Sequence, residues 1–336
     1  MIKNQSLRKK LLTWHRKINQ RTMPWKGLKD PYKIWLSEII LQQTRVDQGE
    51  KYYLNLIKTY PTIQDLADAR DEDVFRLWQG LGYYSRCRNL LHTARFIAAE
   101  WHGEFPGEYQ QIRALKGVGD YTAAAIASFA YGLPYAVVDG NVIRVLSRYF
   151  GLQQEADSAS GKRYFQELAQ QCLDITSPAE YNQAMMDLGA TICKPRLPIC
   201  AQCPLKRDCV ALKTNRLAEL PLKRKRTKVL AVNLYFSLYE SSTHLLITKR
   251  TKASIWKDLY AFPESEHPPE HGIPIPEKFE QLLSHRKVSG HFFRFEIHKK
   301  SALPEFPGSL WVAKKNLRDY AFPRLILSFL EKYDYL

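Results

Sequence analysis

Four of the six cysteines fall within positions 193–209, as Cys193-x6-Cys200-x2-Cys203-x5-Cys209. Thiols this close belong to one metal centre, and a tetrathiolate holds either a tetrahedral zinc or an iron–sulfur cluster. Zinc knuckles usually come as paired C-x-x-C, whereas here only Cys200 and Cys203 are so spaced, which favours the cluster. Two disulfides would require an oxidising compartment, and the basic, amphipathic stretch 1–17 lacks the apolar core and cleavage site of a secretory leader. Cys87 and Cys172 lie apart and read as ordinary buried thiols.

Two carboxylates stand in apolar surroundings. Glu38 lies in Ile34-Trp35-Leu36-Ser37-Glu38-Ile39-Ile40-Leu41-Gln42-Gln43-Thr44-Arg45, where Glu38, Gln42 and Arg45 form one polar stripe on a helix whose other faces read as buried. A carboxyl beside so much apolar surface holds its proton to higher pH, as a general acid near neutrality must; a solvated stripe is the alternative. Asp139 closes the run Ala136-Val137-Val138 and precedes Gly140-Asn141 and a new helix. That is an N-cap position, and capping does not exclude chemistry.

Leu115-Lys116-Gly117-Val118-Gly119 joins two helical segments. Its glycines permit positive φ and close backbone approach, and the following helix start leaves amides free to hold a phosphate. The small residues of Asp120-Tyr121-Thr122-Ala123-Ala124-Ala125-Ile126 suit the close packing of a helix–hairpin–helix. The stretch Gly80-Leu81-Gly82-Tyr83-Tyr84-Ser85-Arg86-Cys87-Arg88 combines a turn, two aromatics and two arginines, which can stack on bases and hold phosphates.

The elements that must position these groups differ between the two parts of the chain. From residue 9 to about 212 apolar residues recur at helical spacing, predicting helices over 31–47, 73–78, 86–101, 120–131, 141–150 and 163–172. Residues 217–228, with Pro221 and the run Lys223-Arg224-Lys225-Arg226, read as an exposed linker. Strand-like runs follow at 229–238, 244–248, 292–298 and 310–312, with a closing helix near 323–333, so the last third is a small α/β domain. The chain has 336 residues, a formal charge of +16 and 45% hydrophobic residues, which points to a folded protein with a polyanionic partner, nucleic acid before an anionic membrane face. No apolar run approaches a membrane span.

Together these residues resemble the MutY family of adenine DNA glycosylases, within the helix–hairpin–helix superfamily that includes endonuclease III. The likeness is carried by Pro31-Tyr32-Lys33-x-Trp35-Leu36-Ser37-Glu38-x-x-Leu41-Gln42-Gln43-Thr44, Gly80-Leu81-Gly82-Tyr83-Tyr84, Gly117-Val118-Gly119-x-Tyr121-Thr122-Ala123, Asp139-Gly140-Asn141-Val142, Asn182-Gln183-Ala184-Met185-Met186-Asp187-Leu188-Gly189 and the cysteine run. It implies a multi-domain protein: an all-α glycosylase domain at 1–214 with a 4Fe–4S cluster on Cys193, Cys200, Cys203 and Cys209, a basic linker at 215–228, and a Nudix-like domain at 229–336.

The activity implied is monofunctional removal of adenine mispaired with 8-oxoguanine or guanine in double-stranded DNA, by a cytoplasmic, monomeric enzyme. The adenine is flipped into a pocket. Glu38 protonates the imidazole side of the base, and Asp139 stabilises the oxocarbenium-like sugar before water completes hydrolysis. Tyr121 matches a position that supports the acid. Arg21, Trp25 and Gln183 match residues lining the base pocket, Gln42 lies on the stripe beside Glu38, and Gln43 and Tyr83 match residues that wedge into the stack. Gly117, Val118 and Gly119 form the phosphate-binding hairpin. Bifunctional relatives carry a Schiff-base lysine where this chain has Tyr121; Lys116, replacing the usual proline, is expected to contact phosphate. An endonuclease III-like lyase and a non-catalytic iron–sulfur DNA-binding protein are the competing readings.

The C-terminal part resembles the family's recognition domain through Lys249-Arg250 and Ile255-Trp256-Lys257-Asp258-Leu259-Tyr260-Ala261-Phe262-Pro263. The glutamate-rich magnesium-binding box is absent, so nucleotide hydrolysis is not expected. Leu283-Ser284-His285 matches the Phe-Ser-His loop that reads 8-oxoguanine, with leucine in place of phenylalanine; another alignment would use Ser289 or His291.

Overall fold

A computed structural model describes residues 2–223, 230–251, 255–283, 286–297 and 306–336. The helices are α1 (Ile2–Lys17), α2 (Pro31–Leu41), α3 (Val46–Thr59), α4 (Ile63–Asp68), α5 (Asp71–Leu77), α6 (Tyr84–Glu100), α7 (Tyr109–Ala114), α8 (Asp120–Tyr131), α9 (Gly140–Phe150), α10 (Ala159–Cys172), α11 (Pro178–Thr191), α12 (Val210–Lys213) and α13 (Arg324–Lys332). The strands are β1 (Leu230–Glu240), β2 (His244–Lys249), β3 (Tyr260–Ala261), β4 (Glu264–Ser265), β5 (Ile273–Leu282), β6 (Arg286–Glu296) and β7 (Ser309–Ala313). By packing, the chain divides into two units, Met1–Asp68 with Asn89–Lys225 and Ala69–Arg88 with Arg226–Leu336.

The first unit is helical. Asp30 starts α2 by accepting from the Lys33 amide, with Pro31 at the first position, and the helix is buried on all sides from Ile34 to Ile40. The alanines of α8 let it approach closely: Ala123, Ala124, Ala125 and Ala127 are at most 2% exposed. The helix predicted over 31–47 is interrupted. Gln42 leaves helical geometry and Gln43 takes φ 57°, so a separate helix starts at Val46. Arg45 is therefore an exposed residue ahead of α3 and not the third member of a stripe on α2. No glycine or proline marks this break, which is why periodicity runs through it. Helix α11 crosses α9 at Gly189, where a Cβ would stand 2.6 Å from Asn141 Cβ and 2.9 Å from its carbonyl oxygen.

The expected linker is in part built into this unit. Leu220 is 2% exposed, its carbonyl accepts from Arg148 Nε at 3.0 Å, and the Leu222 carbonyl accepts from the Ala156 amide at 3.0 Å. Of the basic run, Arg224, Lys225 and Arg226 lie outside the described residues.

The second unit is a sheet of order β3-β2-β1-β6-β5, with β4 also on β1 and β7 on β2. Strands β1 and β6 run parallel in register from Leu230 opposite Arg286 to Glu240 opposite Glu296. One face is covered by α13, whose Ile326, Phe329 and Leu330 pack with Phe236, Phe262 and Phe292. Strand β5 was not legible in the sequence because Pro274 and Pro276 argue against a strand; it lies at the sheet edge, where a missing N–H is tolerated. Helix α5 and the start of α6 read as part of the helical region yet pack with this unit. Arg88 donates to the Lys257 carbonyl at 2.7 Å and Lys249 pairs with Glu72 at 3.1 Å. Helical periodicity identifies a helix but not the body on which it rests.

Candidate active site

Glu38, Tyr121 and Asp139 line one cavity of about 800 Å³ in the helical unit, with Arg21, Trp25, Lys26 and Gln183. Glu38 projects from the buried α2 and is 5% exposed. Burial pushes its pKa up to about 7 and the neighbouring Asp139 charge adds to the rise, while a hydrogen bond from the Tyr121 hydroxyl opposes it. Glu38 is therefore not part of a solvated stripe; it can hold a proton near neutral pH. Burial and the two carboxylates in turn raise the Tyr121 phenol well above its usual value, so it stays a donor.

Asp139 caps α9: its Oδ1 accepts from the Val142 amide at 2.8 Å and its Oδ2 from Asn141 Nδ2 at 2.6 Å. Burial raises its pKa, and these donors oppose the rise by favouring the anion. The Asn141 amide is itself oriented, since its Oδ1 accepts from Arg144 Nη2 at 2.8 Å. The two carboxyls thus sit in unlike environments, one short of donors and one supplied with them. A second cavity of about 1050 Å³ shares with the first only Tyr121 and Asp139, so both groups are reached from two sides.

Behind the cavity wall Asp187 on α11 is fully buried. Its Oδ1 accepts from Arg21 Nη1 at 2.9 Å and Gln183 Nε2 at 3.0 Å; its Oδ2 accepts from Asn19 Nδ2 at 2.7 Å and Lys26 Nζ at 2.9 Å. Trp25 is buried edge-on against Tyr53, ring centroids 5.1 Å apart. Gln42 reaches the hairpin, 3.4 Å from both the Gly117 carbonyl and Thr122 Oγ1. Gln43 is exposed.

The hairpin uses its two glycines differently. Gly117 has φ 82° and sits against Asn89, which would lie 2.8 Å from an added Cβ. Gly119 is extended and starts α8 with open space around it, leaving the first amides of that helix without intrahelical acceptors.

In the second unit Tyr83 is 44% exposed with φ 50°, and the Arg86 guanidinium lies 5.5 Å over its ring. Tyr83 lines a cleft of about 450 Å³ with Trp256, Gln281, Leu282, Leu283 and Arg324. Ser284 and His285 lie outside the described residues. Ser289 is buried on β6 within 3.3 Å of Glu280, and His291 stacks on Tyr235.

The four cysteines of the 193–209 run line one small cavity of about 20 Å³. Among the described residues no three His, Cys, Asp or Glu side chains are placed to hold a single metal ion. The charges around the cavity suit a thiolate-bound group. Arg148 is 2% exposed, lies 3.5 Å from Cys193 Sγ and otherwise donates to the carbonyls of Lys194, Pro195 and Leu220; Arg144 donates to the Cys193 carbonyl. Among the described residues neither guanidinium has an ion-pair partner, so bound thiolates would offset two buried cations. Burial pushes the Cys203 thiol up to about 12, a proton that metal binding would displace.

A family model for the HhH-GPD superfamily of base excision DNA repair proteins matches residues 36–185, and one for the NUDIX domain matches residues 234–332. An adenine DNA glycosylase of Buchnera aphidicola subsp. Baizongia pistaciae is 36% identical over 339 residues, covering 96% of this chain and 95% of its own. The chain belongs to the adenine DNA glycosylase family. The Homo sapiens member is 42% identical over 215 residues, which are 61% of this chain and 39% of that protein. Among solved structures, a thermostable thymine-DNA glycosylase matches with a TM-score of 0.58 at 29% identity, over 63% of this chain and 97% of that one.

Of the residues singled out in the sequence, the fold brings Arg21, Trp25, Glu38, Tyr121, Asp139 and Gln183 to one cavity and sets Gln42 beside the hairpin. Sequence reasoning missed Lys26, Asn141, Arg144 and Asp187. Asn141 and Asp187 do stand in the motifs that carry the likeness, and Asp187, like Glu38, interrupts a run of apolar helical residues, but neither was assigned a role.

Proposed function

We propose that this protein is a monofunctional glycosylase that hydrolytically excises adenine from duplex DNA where adenine lies opposite 8-oxoguanine or guanine. The observation that carries the reading is the pair Glu38 and Asp139 on one cavity, with a raised pKa near 7 on the first and a donor-supplied carboxylate at the second. Adenine expelled as an anion is a poor leaving group. Protonation of its imidazole ring by Glu38 lets it depart neutral, with Tyr121 orienting the acid. Positive charge then develops at the sugar, where Asp139 stabilises it electrostatically or by a transient bond until water adds. A flipped nucleotide suits the two cavities that meet at Tyr121 and Asp139, one for the base and one for the sugar and its flanking phosphates.

The monofunctional reading is supported by the state of the amines. Tyr121 replaces the lysine of bifunctional relatives, and the two lysines lining the cavity are engaged as donors: Lys26 to Asp187 and the Arg21 carbonyl, Lys29 to the Phe129 carbonyl at 3.1 Å. For the opposite base, the Tyr83 and Trp256 cleft offers aromatic faces beside Leu282 and Leu283, which lead into positions 284 and 285. Cys193, Cys200, Cys203 and Cys209 would hold a 4Fe–4S cluster that orders the loop bearing Lys194, Arg196, Lys206 and Arg207 against the phosphate backbone.

Single-turnover incubation with duplexes carrying adenine opposite 8-oxoguanine, and thymine glycol opposite adenine, each analysed with and without alkali, tests the reading. Strand breaks that appear only after alkali on the first duplex are expected. Alkali-independent breaks on the second would replace it with a lyase.

A further inference from the structure

Three residues other than glycine hold left-handed backbone on or beside the cleft of the sheet unit: Tyr83 at φ 50°, Trp256 at φ 66° and Asp258 at φ 66°. A Cβ makes that region unfavourable, for a bulky indole above all, so such conformations persist only where their surroundings over-determine them. Around Trp256 those surroundings can be named. Arg88 Nη1 donates to the Lys257 carbonyl at 2.7 Å, between the two strained residues, and lies 3.5 Å from the Asp258 carboxylate. The Asp258 amide donates to the Arg250 carbonyl at 2.7 Å and the Leu259 amide to the Trp256 carbonyl at 3.2 Å. The Arg250 guanidinium, paired with Glu264, stands 5.7 Å over the Trp256 ring.

Arg88 lies one turn into α6, the helix that begins directly after Tyr83. It therefore ties the loop of one cleft aromatic to the helix that carries the other, across 169 positions of sequence. The sequence offers Arg88 as a phosphate contact, beside Arg86 and two tyrosines; in the fold its side chain is 31% exposed and its guanidinium is committed to a carbonyl and a carboxylate of the protein. We infer that Trp256 is a second base-stacking residue, acting with Tyr83 on the base opposite the target adenine, and that Arg88 is the positioning residue that holds it in the cleft. A cleft of about 450 Å³ with two aromatic walls and the apolar Leu282 and Leu283 suits the face of a planar base, and stacking of this kind is blind to the edge of the base that is read elsewhere. This rests on the reading of the cleft as the place of the opposite base and names two determinants within it.

The test measures duplex affinity by fluorescence anisotropy in a Glu38→Gln background, which retains the adenine, with 8-oxoguanine, guanine or a tetrahydrofuran site lacking a base opposite that adenine. Trp256→Ala and Arg88→Met are each expected to weaken binding to the first two duplexes about tenfold and to leave binding to the third unchanged. Because Arg88 acts through Trp256, the double variant should bind no worse than Trp256→Ala alone, and Arg88→Lys, which keeps a donor for the Lys257 carbonyl, should recover most of the loss. An Arg88 that contacts phosphate would instead weaken all three duplexes alike, add its loss to that of Trp256→Ala and lower the salt dependence of binding; any of these outcomes overturns the inference. Should circular dichroism show that Arg88→Met does not fold, Trp256→Ala carries the test, and equal losses on the three duplexes overturn it. Wild-type protein that releases no adenine opposite either base overturns the glycosylase reading and this inference with it, whereas adenine release with losses that ignore the opposite base overturns this inference alone.

Discussion

In the helical unit the groups suited to chemistry are withdrawn from water and each is answered by a named partner: Glu38 by Tyr121, Asp139 by Val142 and Asn141, Asp187 by four donors. In the sheet unit the cleft suited to recognition is open and apolar, with Tyr83 44% exposed and both Tyr83 and Trp256 in the left-handed backbone region, at φ 50° and 66°. The contrast follows from what each task needs. The Glu38 carboxyl acquires a pKa near neutrality chiefly by losing its hydration, whereas an aromatic face stacks on a base only if it is left uncovered. Backbone strain appears where side chains must be aimed outward, and hydrogen-bond saturation where charges must be held inward.

The largest test of this contrast falls on the carboxylates. Glu38→Gln is expected to lower base release by about 10² to 10⁴ while duplex affinity, read by fluorescence anisotropy, stays close to wild type. Asp139→Asn should lose activity comparably yet keep its melting temperature, because asparagine caps a helix about as well as aspartate. Activity and melting temperature falling together would mean that Asp139 is chiefly a cap.

The second test is thermodynamic. The folded pKa of Glu38, about 7, lies above the 4.5 of an ordinary glutamate, so the folded state binds the proton more tightly than the unfolded state. Stability is then lost as pH rises between these values, and the full penalty is present above pH 7. Glu38→Gln should stabilise the protein by about 3 kcal/mol at pH 8 and by almost nothing at pH 4. Denaturant melts at the two pH values measure the difference, and equal stabilisation at both would contradict a raised pKa. The smallest effect belongs to the open cleft. Tyr83→Ala should weaken binding to duplexes containing 8-oxoguanine about tenfold and leave the pH profile of base release unaltered; a shifted profile would show that the two regions are not separable in this way.

How much of this was legible depended on distance along the chain. Asp139 was readable because a cap, its apolar run and its helix are adjacent in sequence. The alanines of α8 announced close packing for the same reason. The break after Leu41 was not readable, because a glutamine in the left-handed region, Gln43, carries no turn signature, so Arg45 was placed on the wrong element. The Asp187 network joins residues more than 150 positions apart, Asn19, Arg21 and Lys26 with α11, and no local pattern encodes such a meeting. Nor could periodicity reveal that α5 rests on the sheet unit, which depends on Arg88 and Lys249 finding partners across the sequence.

Gly189 gives the site an unexpected vulnerability. It carries no side chain to bind a proton or face a ligand, and its carbonyl only accepts from Arg144 Nη2 at 2.7 Å, yet it is the gap through which α11 passes α9 at Asn141, within 3 Å of where a methyl would be. Asn141 holds Asp139, so one added carbon would press on the first turn of α9 and disturb the carboxylate without altering its chemistry. The set of mutations able to silence this protein is therefore wider than the set of residues that meet DNA. A survey restricted to contacting side chains would pass over the position where the smallest possible change does such damage.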